Sequence, residues 1–246
     1  MERHEAAPHE RGGREIERVA LFSDAVFAIA ITLLVLELKV PESEAVRLAG
    51  GLGKALLDEF PRFFAFFISF GVIGAYWIMH HRMFCYLRRC DRGLVALNLM
   101  LLLFVAFLPF PVALFGSFRR DPVAIGWYAI SMGLTGLSLN LLWWYAARKR
   151  RLVAPDLDRR IVRYMQFQAA IVPVVFTISL PFAFVVPNWT VFSMAGMIPL
   201  LRLFRVRFER AARAAEGGPA VAAPPAQRAV FPKPASPPPA DPTPGP

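Results

Sequence analysis

Long uncharged runs set the pattern of this chain. Arg62 and Arg82 bracket nineteen residues with no Asp, Glu, Lys or Arg, Arg92 and Arg119 bracket twenty-six, Asp121 and Arg148 bracket twenty-six, and Arg163 and Arg202 bracket thirty-eight. Each of the first three reaches across about 30 Å of hydrocarbon as a single helix. The fourth is long enough for two crossings, with Pro187-Asn188-Trp189 as the turn and Trp189 suited to the membrane interface. One more segment, residues 19 to 39, is apolar apart from Asp24 and ends in Glu37-Leu38-Lys39-Val40-Pro41. Its apolar run starts late and no small-residue cleavage site follows it, so it reads as a spanning helix rather than a signal peptide. The pattern predicts an all-α membrane protein with six transmembrane helices.

Composition agrees. Of the 246 residues, 56% are hydrophobic and only 19% charged, too apolar for an ordinary soluble domain. The net charge of +10 would suggest nucleic acid in a soluble chain, but its placement is topological. Arg3, Arg11, Arg14 and Arg18 precede the first helix; Arg82, Arg88, Arg89 and Arg92 fill the second loop; Arg148 to Arg163 fill the fourth; and Arg202 to Lys233 follow the last. The odd loops hold only Lys39, Arg47, Lys54, Arg62, Arg119 and Arg120. The positive-inside rule then places both termini in the cytoplasm of a multi-pass protein of the cell membrane, with the lipid bilayer and not nucleic acid as its partner. Three regions follow: a cytoplasmic segment 1–17, a six-helix membrane domain 18–208, and a tail 209–246. From about Gly217 the tail is Pro and Ala and cannot build a core, which predicts disorder or, alternatively, a Pro-rich docking peptide.

No soluble catalytic constellation is present: no P-loop, no dinucleotide fingerprint, no H-E-x-x-H and no Gly-x-Ser-x-Gly. An enzyme, a cofactor and a small-molecule substrate beyond permeant ions are not expected. His80 and His81 are adjacent, so on a helix they point about 100° apart and do not chelate one metal from one face. Cys85 and Cys90 lack a second ligand pair and read as reduced thiols. No helix carries Arg at every third position, so a voltage sensor is unsupported.

Asp24 is the informative residue. An acid inside a spanning segment is costly unless it is paired and faces protein or water. Arg18 is six residues away, about 240° around a helix, outside the spacings that bring side chains together. The candidates to meet these two residues from other helices are Trp77, His80, His81 and Asn98. The same helix places Ile29, Leu33 and Leu36 at i, i+4 and i+7, one face, with Thr32 beside them. Beyond Asp24 the helix is apolar all round, so periodicity alone leaves open whether that face meets lipid, core or a pore.

Arg18-x-x-x-Phe22-Ser23-Asp24 at the start of the first membrane helix resembles the R-x-x-x-F-S-D signature of the transmembrane protein 175 potassium-channel family. Tyr76-Trp77-x-x-His80-His81-Arg82, Leu97-Asn98-Leu99 and Phe107-Leu108-Pro109-Phe110-Pro111 resemble its bacterial members, and the likeness covers about residues 14 to 205. The resemblance implies a cation channel modestly selective for potassium over sodium, a homotetramer whose first helices line the pore. It places a hydrophobic constriction on Ile29, Leu33 and Leu36 and a selectivity layer on Thr32. Arg18, Phe22, Ser23, Asp24, Trp77, His80 or His81, and Asn98 fall on the network that holds the first helix against its neighbours. Neither the family nor this chain carries the Thr-Val-Gly-Tyr-Gly filter loop of ordinary potassium channels. Rings of Ile29, Leu33 and Leu36 would make a neck that conducts only while wetted. The competing readings are an ion- or proton-coupled transporter using Asp24 and His80 or His81, and a scaffold that recruits partners through its tail.

Overall fold

The computed structural model describes residues 8–118, 120–148, 151–154 and 157–185, with side chains between 13 and 178. Every named element among them is helical. α1 runs from Pro8 to Leu33 and passes directly into a 3-10 turn, Leu34–Glu37. Two short helices follow, α2 (Ser43–Ala49) and α3 (Leu52–Asp58), joined through Gly50 and Gly51, both at positive φ. The longer elements are α4 (Phe60–Cys85), α5 (Arg92–Phe107), α6 (Pro109–Ser117), α7 (Pro122–Ala147) and α8 (Arg159–Val185). Five helical stretches are long and apolar enough to cross a membrane: α1 with its 3-10 turn, α4, α5 and α6 together, α7, and α8. The sixth crossing and its turn at Pro187-Asn188-Trp189 lie outside the described residues, as does the tail.

The run from Arg92 to Arg119 reads in sequence as one helix; it is one span, divided at Leu108 into α5 and α6. Pro109 has no N–H to give to the carbonyl of Val105, and the amide of Leu108 takes that carbonyl instead at 3.2 Å. Val112 then resumes the helical ladder on the carbonyl of Leu108 at 3.2 Å.

α7 sits deepest. Tyr128, Met132, Leu139, Leu142 and Trp143 are buried along it. Its small residues let neighbours approach, as spanning helices require where apolar burial alone gives no preference for protein over lipid. A Cβ at Gly136 would stand 2.8 Å from Cδ of Pro173 on α8 and 3.2 Å from the hydroxyl of Tyr76 on α4. That hydroxyl is held in place by its hydrogen bond to the carbonyl of Met132 at 2.7 Å. Gly136→Ala therefore overpacks the joint at a cost of about 1–3 kcal/mol, more than the roughly 1 kcal/mol gained by removing a helical glycine. The expected result is a lower thermal unfolding midpoint in detergent; an unchanged or raised midpoint contradicts this packing.

Polar clasps add direction to the apolar contacts. Asn140 on α7 donates to the carbonyl of Gln166 on α8 at 3.1 Å, and the Gln166 amide returns a bond to Asn140 Oδ1 at 2.8 Å. Trp143 donates to the carbonyl of Val162 at 3.1 Å. The loop after α4 is tied to the loop after α7 by an isolated antiparallel bridge, Leu87 to Val153, with the amide of Arg88 on the carbonyl of Leu152 at 2.7 Å. Asp91 caps α5 through the amide of Leu94 at 2.8 Å and also accepts from Tyr145 at 3.0 Å and Arg151 at 3.4 Å.

Candidate functional site

α1 resolves into two faces. Ser23, Phe27, Ala30 and Leu34, spaced i, i+4, i+7 and i+11, are buried against the other helices. Away from them Ile29 is 59% exposed and Leu36 69%, with Leu33, 39% exposed, nearer the edge of the buried stripe. Thr32 is also exposed, and its hydroxyl donates to the carbonyl of Ile29 at 2.9 Å. With its proton spent on the backbone, that oxygen presents lone pairs outward. The 3-10 turn alters the register read from sequence. At three residues per turn Leu36 stands over Leu33, where a continuing α-helix would carry it about 60° round.

The buried face is fixed by a directional chain of hydrogen bonds. Ser23 Oγ donates to the carbonyl of Val19 at 2.7 Å and accepts from Asn98 Nδ2 on α5 at 2.9 Å. Asn98 Oδ1 is then the acceptor for His80 Nε2 on α4 at 2.9 Å, which places the imidazole proton on Nε2. Nδ1 of His80 has no partner among the described residues. The ring lies between Phe27 and Phe84, with centroids at 5.6 and 4.2 Å. Three spanning helices thus meet at one fully buried polar cluster, where no water competes for the bonds.

Asp24 lies one residue on from Ser23, about 100° around the helix, and meets a different partner: Trp77 Nε1 on α4 donates to its carboxylate at 2.8 Å. Trp77 stacks on His81 at 5.6 Å, and His81 Nε2 lies 3.9 Å from Cys85 Sγ. The two histidines therefore separate, His80 inward to Asn98 and His81 outward to Trp77. Asp24 and His80 share no hydrogen bond, each being held by its own partner.

Two residues of the signature stand outside this cluster. Arg18 is exposed, and among the described residues neither it nor Asp24 makes an ion pair. Phe22 is 54% exposed, two turns before Ile29 and on the same side of α1. Cys85 and Cys90 are free thiols, and no group of three or more His, Cys, Asp or Glu among the described residues could hold a metal. Sequence reasoning missed the aromatic enclosure of His80 and the Asp91–Tyr145–Arg151 clasp. Only the first half of that clasp had a signal, an aspartate just before an apolar run.

A multi-pass helical membrane protein whose first span is pinned by a polar cluster on one face and bare on the other is the class these features define. The family model described as endosomal/lysosomal potassium channel TMEM175 matches residues 18–109. A potassium channel of Streptomyces collinus is 38% identical over 175 residues, covering 70% of this chain and 84% of that protein. A potassium channel of Chamaesiphon minutus is 38% identical over 174 residues, covering 70% and 85%. The human endosomal/lysosomal proton channel TMEM175 is 40% identical over 111 residues, covering 43% of this chain and 22% of that protein. The crystal structure of a lysosomal potassium-selective channel TMEM175 homolog from Chamaesiphon minutus superposes with a TM-score of 0.68 at 34% identity, over 79% of this chain and 98% of that one. The chain belongs to the TMEM175 family.

Proposed function

We propose that this protein is a potassium-permeable cation channel, a homotetramer with α1 of each subunit around a central pore and both termini in the cytoplasm. The observation that carries the reading is the division of α1: an apolar exposed stripe of Ile29, Leu33 and Leu36 backed by the Ser23–Asn98–His80 bonds. Polar bonds tie other helices of the bundle as well; on α1 they set the rotation of the one helix whose opposite side is left bare, and in a pore that rotation sets the bore.

Four such stripes converge on a narrow apolar neck that passes ions only while water fills it. Leu33 and Leu36, stacked by the 3-10 turn, lengthen the neck on the side away from the N-terminus. Thr32 oxygens replace part of the hydration shell of a passing ion, and potassium gives up water more cheaply than sodium. Side-chain hydroxyls coordinate less completely than stacked backbone carbonyls, so selectivity is moderate. The basic loops following α4 and α7 sit on the cytoplasmic side, and the cell membrane is the site of action.

Two measurements test this. The protein–detergent particle should carry four chains of 27.5 kDa each; a monodisperse single chain overturns the assembly. Thr32→Val keeps the side-chain shape and removes the oxygen, so the potassium-to-sodium permeability ratio should fall while conduction persists. A ratio equal to that of the parent removes Thr32 from the selectivity layer.

A further inference from the structure

From Thr32 back toward the N-terminus, the exposed side of α1 keeps a strict period. Thr32, Ile29, Ala25, Phe22, Arg18 and Glu15 follow at alternating steps of three and four residues, and all of them are exposed. A seven-residue repeat of this kind is the seam along which parallel helices wrap around one another. α7 exposes a stripe with the same spacing from Val123 to Trp144, but there every residue is apolar, as suits a side that meets lipid. On α1 the stripe passes through a hydroxyl and ends in two opposite charges. It is the side that meets water and other copies of the chain, and Glu15 stands on it about 21 Å below Ile29.

Neither charge is spent within the subunit: among the described residues Glu15 and Arg18 make no ion pair. Their surroundings are basic. Arg14 and Arg18 flank Glu15 on α1, Arg92 lines the same open groove between α1 and the start of α5, and Arg88 and Arg89 stand exposed on the loop before it. The other nearby acids are turned elsewhere. Asp91 is engaged by the amide of Leu94, by Tyr145 and by Arg151, and Glu17 lies two residues on from Glu15, about 200° around the helix. Four guanidinium groups around a cation pathway raise the potential at its mouth and thin out the potassium there, and low-dielectric walls focus that field. Four carboxylates one turn below cancel it and gather cations at the entrance, as acidic rings do in cation channels.

We infer that Glu15 is a permeation residue: four copies at the cytoplasmic mouth of the pore concentrate potassium there against the field of Arg18 and the neighbouring arginines, and so set how fast ions enter from that side. The inference rests on the tetrameric pore proposed above and extends its working length beyond the apolar neck. Glu15 takes no part in choosing between potassium and sodium, because a diffuse field acts on both ions alike.

The test is single-channel recording from the parent, Glu15→Asp, Glu15→Gln and Glu15→Lys in symmetric potassium chloride. Exposed charges are screened beyond about 10 Å at about 0.1 M salt and beyond about 3 Å at about 1 M. At the lower concentration the conductance should fall several-fold in Glu15→Gln and further in Glu15→Lys, while Glu15→Asp stays close to the parent. The loss should be larger for current entering at the charged mouth than for current leaving it, so that both variants rectify. At the higher concentration Glu15→Gln should regain the parent's conductance, with the potassium-to-sodium ratio the same throughout. Equal conductance in the parent and Glu15→Lys at both concentrations overturns the inference and leaves the channel standing. So does a loss in Glu15→Gln of the same size at both concentrations, or an equal loss in Glu15→Asp, since either would mark a role in packing and not in the field. A parent that carries no current contradicts the pore itself, and this inference with it.

Discussion

Asn98→Leu is expected to lower the thermal unfolding midpoint of the purified protein more than any other single change within the polar cluster. The substitution keeps the volume and the helix while removing the one group that bonds both neighbours. His80 Nε2 loses its acceptor and Ser23 Oγ loses its donor, both fully buried. An unmet buried group costs about 1–3 kcal/mol, and His80 already has Nδ1 without a partner among the described residues. Ser23→Ala is the comparison. It strands only one Nδ2 hydrogen of Asn98 and leaves the His80 bond in place, so its shift should be the smaller. Fluorescence-detected melting in detergent ranks the two variants. A shift for Asn98→Leu equal to or below that of Ser23→Ala would mean that the cluster does not hold α1.

The second large effect is on conduction and comes from the opposite face. Ile29 is 59% exposed in the isolated chain, so truncating it creates no core cavity and should leave the melting midpoint nearly unchanged. Its consequence appears where four copies meet. Ile29→Asn places hydrogen-bonding groups in the neck and keeps it wet; Ile29→Ala widens it. Removing about 1.4 kcal/mol from the barrier raises the rate tenfold. Single-channel currents about tenfold larger, with a potassium preference weaker than the parent's, are the expected outcome. Both variants conducting and selecting like the parent would take Ile29 out of the permeation path.

The contrast between these two predictions shows where the chain was readable before its structure. Four of the five spans among the described residues follow directly from the uncharged runs, and the first from a segment apolar apart from Asp24, because hydrocarbon leaves a helix few alternatives. The break in the helical ladder at Leu108 was written in Pro109, yet the length of the run concealed it. On α1 the apolar residues go all the way round, so hydrophobic period carried no information about which side packs. Packing against α4 and α5 selects the stripe of Ser23, Phe27, Ala30 and Leu34. Adjacent histidines posed the same problem. Sequence says they diverge by about 100°, and only the rotation of α4 decides that His80 goes inward. Leu36 shows a different limit. Nothing in Leu34-Val35-Leu36-Glu37 announces a 3-10 turn, and that turn aligns Leu36 with Leu33 instead of following the α-helical period.

Phe22 and Arg18 belong to the same signature as Ser23 and Asp24 but have different surroundings. Within seven residues of one helix the chain turns a serine into the core, an aspartate to a tryptophan, and a phenylalanine and an arginine into an open groove. A short motif of this kind marks a rotational register of the helix rather than a single cluster.

The decisive measurement is the reversal potential of the purified protein in a planar bilayer, with potassium on one side and sodium on the other. A potassium-permeable channel gives discrete current steps that reverse on the potassium-selective side of zero, and Ile29→Ala moves the reversal back toward zero. Saturable movement coupled to a counter-ion at low turnover, or no current from intact assemblies, would contradict a pore built on α1.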